Sequence, residues 1–186
     1  MKKEKATDAK QNKILVAYFS HPGNNYVNGI IVNLPIGNTE ILAKMIQEIT
    51  KGDIFHIETV TPYPSDYKET TEAAGKELRK KARPKLSNRV EGMDLYNVIL
   101  LGYPNWWGTI PMPIVTFLSE YDFSGKIIAP FCTNEGSGLG RSVNDIKHLC
   151  PQSIILDDLA VRGGDVRNAQ NEASTWLSEL GILELK

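Results

Sequence analysis

Ile14-Leu15-Val16-Ala17-Tyr18-Phe19 is followed by Ser20-His21-Pro22-Gly23-Asn24-Asn25, and Gly37-Asn38-Thr39 opens the next apolar stripe. The first six residues are an unbroken apolar run of strand length. A run without polar alternation marks a strand covered on both faces. The loop after it is built from hydroxyl, amide and glycine residues. Glycine, asparagine and threonine then stand where a helix begins, a place where free backbone N–H groups and the helix dipole favour an anion. Strand, polar loop and helix start, in that order, are the opening unit of an α/β fold.

The unit recurs along the chain. Asp53 to Glu58 alternates and reads as an edge strand, Asn97 to Gly102 and Lys126 to Cys132 read as buried strands, and Ser153 to Leu156 reads as a short fifth. Between them lie helical stripes: Ile41, Leu42, Met45, Ile46 and Ile49; then Ile114, Val115, Phe117, Leu118 and Tyr121; then Val143, Ile146 and Leu149; then Ala169, Ala173, Trp176, Leu177 and Leu180. Ser65 to Ala82 reads as a polar, exposed helix, and Asp165 as the N-cap of the last one. Strict alternation implies a three-layer, doubly wound parallel sheet of five strands with helices on both faces. Residues 13–186 read as one domain and the polar segment 1–12 as a disordered lead-in.

Charge and cysteine content narrow the function. The net charge of −1 points to neither nucleic acid nor an anionic membrane. The charge is uneven: Met1 to Met93 holds 15 basic and 11 acidic residues, and Asp94 to Lys186 holds 6 and 11. Cys132 and Cys150 belong to no metal-ligand pattern and read as buried small hydrophobes rather than a disulfide. The N-terminus lacks the apolar region of a signal peptide and no apolar run reaches a membrane span, so a cytoplasmic location is expected.

In doubly wound sheets ligands bind beyond the carboxyl ends of the strands. Three loops there carry the chemistry. The first pairs Ser20 with Gly37, Asn38 and Thr39 as an anion cradle, with Glu40 expected to point outward. It has no lysine or arginine, no G-x-x-x-x-G-K-[ST] pattern and no G-x-G-x-x-G, which argues for a mononucleotide rather than an NTP or a dinucleotide. The second is Pro104-Asn105-Trp106-Trp107-Gly108, where adjacent tryptophans diverge and at least one is expected to meet a flat ligand. The third, Thr133 to Gly140, includes Glu135, Gly136, Ser137 and Gly138, and is expected to offer backbone groups to the polar edge of a ring.

These three loops, together with Tyr63-Pro64-x-x-Tyr67, resemble the flavodoxin-like FMN proteins whose members carry a Tyr-Pro-Asn-Trp-Trp-Gly loop. The resemblance covers everything after Lys13. It implies strand order 2-1-3-4-5, non-covalent FMN at the three loops, and electron transfer as the function. FMN carries the chemistry, so neither a catalytic residue nor a metal ligand is expected. The implied partner is a redox protein or a small quinone-like acceptor, with a homodimer as a further expectation; the alternative is an NAD(P)H-dependent quinone or nitro-compound reductase. His21 is weighed as a donor near the cradle, with a solvated role the stronger reading. Glu135, and Asp157 and Asp158 if they lie nearby, would disfavour an anionic reduced flavin.

The chain departs from the family in one place. The short Ser-x-x-Gly-Asn-Thr phosphate loop of related proteins is split here between Gly23-Asn24 and Gly37-Asn38-Thr39. Within the insertion, Asn28-Gly29 stands between Tyr26-Val27 and Ile30-Ile31-Val32, the strongest short hairpin signal. The hairpin is expected to rim the flavin site, with Tyr26 in contact.

Overall fold

A computed structural model describes residues 13–185, so the lead-in expected over 1–12 lies outside the described residues. Strand β1 (Lys13–Tyr18) leads into a hairpin of β2 (Gly23–Val27) and β3 (Ile30–Leu34). There follow α1 (Asn38–Thr50), β4 (Asp53–His56), α2 (Tyr67–Lys80), β5 (Tyr96–Pro104), α3 (Met112–Glu120), β6 (Ile127–Asn134), α4 (Ser142–Leu149), β7 (Ile154–Ile155), β8 (Leu159–Arg162) and α5 (Gln170–Glu179). The main sheet runs β4-β1-β5-β6, with β7 and β8 both paired to β6, and every pairing in it is parallel. The order is that expected from the resemblance.

The two-faced strand explains the layers. Along β1 the side chains alternate: Ile14, Val16 and Tyr18 join the core with Leu42 and Ile46 of α1 and Trp176 and Leu177 of α5. Leu15 and Ala17 join the opposite core with Phe117 and Leu118 of α3 and Ile146 of α4. Both sides of the strand are dry, so neither can be polar. Fully burying each of the larger aliphatic side chains among these contributes about 1.5–3 kcal/mol. Both cysteines are free and buried. Burial pushes the Cys132 thiol up to about 12 and the Cys150 thiol up to about 11, which leaves both as unreactive thiols.

Two local expectations are corrected. The fifth sheet position is not one strand over Ser153 to Leu156. Ile154 and Ile155 pair with the start of β6, the chain leaves the sheet at Asp157 and Asp158, and Leu159–Arg162 pairs with the end of β6. The Asp157 carbonyl accepts from the Trp176 indole, which holds the interruption against α5. Asp165 does not cap the last helix. It lies inside a 3₁₀ segment, Gly163–Asn168, and α5 begins at Gln170 after Ala169 without a side-chain cap.

The hairpin is present in the expected register, with Tyr26 opposite Ile31 and Val27 opposite Ile30. Asn28 and Gly29 both have positive φ (51° and 90°), as a two-residue type I′ turn requires.

Candidate functional site

A cavity of about 340 Å³ opens where β1, β5 and β6 end, between the hairpin and α2. It brings together Ser20, Tyr26, Asn38, Thr39, Pro104, Asn105, Trp106, Trp107, Thr133, Glu135 and Ser137 from the sequence reading. Gly37, Gly108, Gly136 and Gly138 do not line it; they shape the backbone around it.

The floor is the start of α1. Ser20 is buried, and its Oγ accepts the Glu40 backbone N–H at 3.1 Å. A Cβ on Gly37 would lie 2.3 Å from that Oγ and 2.7 Å from the His21 carbonyl oxygen, so only glycine lets the loop close on the helix. Gly37 is also the N-cap residue and offers no side-chain cap, which leaves the first-turn amides of Asn38 and Thr39 without a capping partner. Thr39 and Thr133 share a buried hydroxyl contact of 2.7 Å, joining this floor to the end of β6. Glu40 is held away from the cradle by Lys44, whose Nζ is 2.6 Å from its carboxylate.

The two tryptophans part company. Trp106 packs inward, edge-on to Phe19, His21 and Tyr63 at centroid distances of 5.3, 5.9 and 5.0 Å. Trp107 has φ 55° at the start of a tight turn closed between Trp106 and Thr109, and it is 54% exposed. Its indole N–H donates to the Thr71 carbonyl at 3.0 Å, and the ring lies on Gly75 of α2, whose added Cβ would meet it at 3.0 Å. One tryptophan thus anchors the loop in the core. The other is pinned by its edge to α2 and remains accessible at the cavity wall.

Asn105 ties the second loop to the third. Its backbone N–H donates to the Thr133 carbonyl at 2.8 Å, and its side-chain amide donates to the Gly138 carbonyl at 2.6 Å. The third loop is organised by a residue the sequence reading missed. Asn134, buried, accepts from the Gly136 and Gly138 amides at 2.8 and 3.0 Å. Those two amides are therefore spent inside the loop and are not free for a ring edge, contrary to the expectation from the glycines.

The hairpin closes the roof. At its base the Asn24 N–H donates to the Ser65 carbonyl at 2.8 Å, and Tyr26 stands 6.2 Å from the Tyr67 ring. At its tip the Asn28 backbone N–H donates to Glu135 Oε2 at 2.9 Å. An added Cβ on Gly164 would lie 2.3 Å from the Asn28 side chain. The hairpin thus spans the cavity from α2 to the loops after β6 and β8.

Two buried acceptors at the wall, Asn105 Oδ1 and Glu135 Oε1, have no hydrogen-bond partner among the described residues. A buried acceptor left unpaired costs about 1–3 kcal/mol, so these two call for ligand donors. Asp157 and Asp158 do not line the cavity. Tyr67 of the Tyr63-Pro64-x-x-Tyr67 motif does, and so do Thr70, Thr71, Ala74 and Gly163, which no motif marked; they arrive through the placement of α2 and β8.

His21 is half-buried rather than free in solvent. It lines the cavity between Trp106 and Tyr63, 3.4 Å from the Thr70 hydroxyl. Burial holds it below its ordinary value of 6.5, so it is neutral at pH 7. As pH falls through 6.5 the unfolded chain takes up this proton before the folded one, and stability falls. His21→Gln should therefore show a flatter decline in urea stability from about pH 7 to about pH 5 than the parent. Identical slopes would contradict this placement. Glu77 and Asp158, both raised mainly by burial, act with the opposite sign, but they are common to both proteins.

No helix of the described residues is long and apolar enough to cross a membrane. The sequence profile of the flavodoxin family matches residues 13–180. Flavodoxin 1 of Shigella flexneri is 25% identical over 145 residues; the match covers 75% of this chain and 65% of that protein, just under two thirds of its length. A crystal structure of a Bacteroides eggerthii protein assigned to the flavoproteins superposes with a TM-score of 0.74 at 28% identity, over 91% of this chain and 98% of that one. A Lactobacillus acidophilus flavoprotein in complex with FMN shares the fold, with a TM-score of 0.63 at 18% identity over 88% of this chain and 99% of that one.

Proposed function

Because this chain belongs to the flavodoxin family, we propose that it binds FMN non-covalently in the cavity and acts as an electron-transfer protein. The observation that carries this reading is the pair of orphaned buried acceptors beside a helix start whose first two amides, of Asn38 and Thr39, have no capping partner. FMN offers matching groups: an anionic phosphate for the first-turn amides of α1, and ribityl hydroxyl and ring N–H donors for Asn105 and Glu135. FMN, when bound, supplies one- and two-electron chemistry. The protein's share is to hold the phosphate with Ser20, Asn38 and Thr39, to offer Trp107 as an accessible flat surface, and to roof the site with Tyr26 and the hairpin. The cavity of about 340 Å³ falls within the range of small-molecule sites.

The visible spectrum of the purified protein, as isolated and after adding FMN, tests the reading. A stoichiometric flavin signal released as FMN is expected; stoichiometric FAD, or no flavin uptake, would overturn it. Steady oxidation of NADH or NADPH with a quinone would move the assignment to a reductase. Trp107→Ala should weaken FMN binding by about 0.5–1.5 kcal/mol beyond the lost contact area. Bound FMN should quench tryptophan fluorescence less in that variant. Unchanged affinity and quenching would remove Trp107 from the site.

A further inference from the structure

The helix that walls the cavity also carries a charged surface that FMN binding does not use. Seven of the chain's 21 lysines and arginines fall between positions 76 and 89: Lys76, Arg79 and Lys80 within α2, and Lys81, Arg83, Lys85 and Arg89 just after it. All seven are exposed. Among the described residues only Arg89 has a carboxylate within 4.0 Å, that of Glu120. The single acid in the run, Glu77, accepts from the half-buried Tyr63 hydroxyl at 2.6 Å instead.

Arg79 and Lys80 in the last helical turn complement the helix dipole. That accounts for two of the seven. Arg83, Lys85 and Arg89 lie beyond the helix, where no dipole asks for them. Arg83 donates to the Lys81 and Ala82 carbonyls and Arg89 meets Glu120 and the Tyr121 ring, but like charges at this spacing also repel one another, and together they set up a positive field.

The field adjoins the cavity. Tyr67, Thr70, Thr71 and Ala74 of the same helix line the cavity. At the helical rise, Lys80 stands only about 9 Å further along the axis than Ala74. Trp107 bridges the two regions: its exposed indole lies on Gly75, and Arg79 comes one turn after Gly75 on the same helix face. Val60, also exposed, donates its backbone N–H to the Lys85 carbonyl at 2.9 Å. Apolar points within a charged rim are the anatomy of a transient protein interface. The half of the chain from Asp94 onward carries 11 acids against 6 bases. Residues 76–89 net +6 and the rest of the chain nets −7, so a long polyanion or a membrane leaflet reaching past the patch meets net negative charge, whereas a compact acidic protein needs the patch alone.

We propose that the basic surface from Lys76 to Arg89 docks an acidic redox protein beside Trp107, at the edge of the cavity. This rests on the FMN reading for its purpose but not for its measurement. The probe is an acidic [2Fe–2S] ferredoxin carrying a fluorescent label, titrated with the full chain and read by anisotropy, which needs no flavin. The variant is Lys76→Glu, Lys80→Glu and Lys85→Glu together, with the corresponding glutamine triple as a milder form. Binding should weaken at least about tenfold between low salt and about 0.3 M salt. The glutamate triple should lose at least about tenfold at low salt and the glutamine triple less, with unfolding temperature and flavin spectrum unchanged. The reduced cluster should pass one electron to bound FMN at a rate that falls in the same order. Equal affinity of parent and variants overturns the proposal. So does tighter charge-dependent binding of a short DNA duplex, or of phosphatidylserine vesicles, at the same salt. Flavin uptake without ferredoxin binding overturns the docking surface alone; ferredoxin binding without flavin uptake overturns the cofactor reading alone.

Discussion

Gly37→Ala is expected to lower FMN affinity by roughly tenfold to a hundredfold while leaving the sheet intact. The added methyl carbon would sit 2.3 Å from Ser20 Oγ and 2.7 and 2.9 Å from the His21 carbonyl oxygen and carbon. Two of those three contacts are backbone, so no rotamer change relieves them. Gly37 has an ordinary extended φ of −67°, and the effect is therefore steric rather than conformational. Forcing a methyl into a closed site costs about 1–3 kcal/mol, which here separates β1's loop from the start of α1. The Ser20 Oγ contact with the Glu40 N–H would break, and the cradle would open. Phosphate dependence separates this from general damage: riboflavin, which lacks the phosphate, should bind parent and variant alike. Equal losses for FMN and riboflavin would place the phosphate elsewhere.

The second large effect concerns the roof. Gly164→Ala should speed FMN dissociation about threefold. A hydrogen bond to a charged group contributes about 1.5–3 kcal/mol, and the tip of the hairpin is held by one, from the Asn28 N–H to Glu135. The new Cβ would fall 2.3 and 2.6 Å from the Asn28 side-chain amide atoms, so this exposed side chain must turn off its seat on Gly164, which loosens the tip without breaking the backbone bond. Asn28→Gly removes the obstructing side chain and tolerates the positive φ of that position. The double variant should therefore recover the parent's slow release. Release is tracked by the return of FMN fluorescence on dilution. A fast double variant, or a slow Gly164→Ala, would mean that the hairpin does not gate the site.

The fold was legible because its rules are local. The unbroken apolar run of β1 marks a strand buried on both sides, and Asn28-Gly29 suits a turn with positive φ at both positions. The fifth strand was less legible: with two residues in one half and four in the other, neither half carries a pattern longer than chance. The Asp165 cap failed for a related reason. A capping residue is recognised by the helical turn directly after it, and Gly163-Gly164 begins a 3₁₀ segment that delays the helix to Gln170.

At the site, the sequence by itself determined which three loops face the cavity, because in a parallel doubly wound sheet the strand ends all open on one side. It also determined that an insertion with a hairpin stands at the cradle. Only the tertiary structure decided that Trp106 is an anchor and Trp107 the accessible ring, since neighbouring residues of one type differ only in what packs on them. Only the tertiary structure showed the Gly136 and Gly138 amides spent on Asn134. It alone laid α2 along the cavity wall, with its basic end outward. The latch between Asn28 and Glu135 joins residues 107 positions apart. Sequence patterns report the period of a strand or helix and the chemistry of a turn. Contacts at such separation depend on how whole elements pack, and no local pattern encodes them.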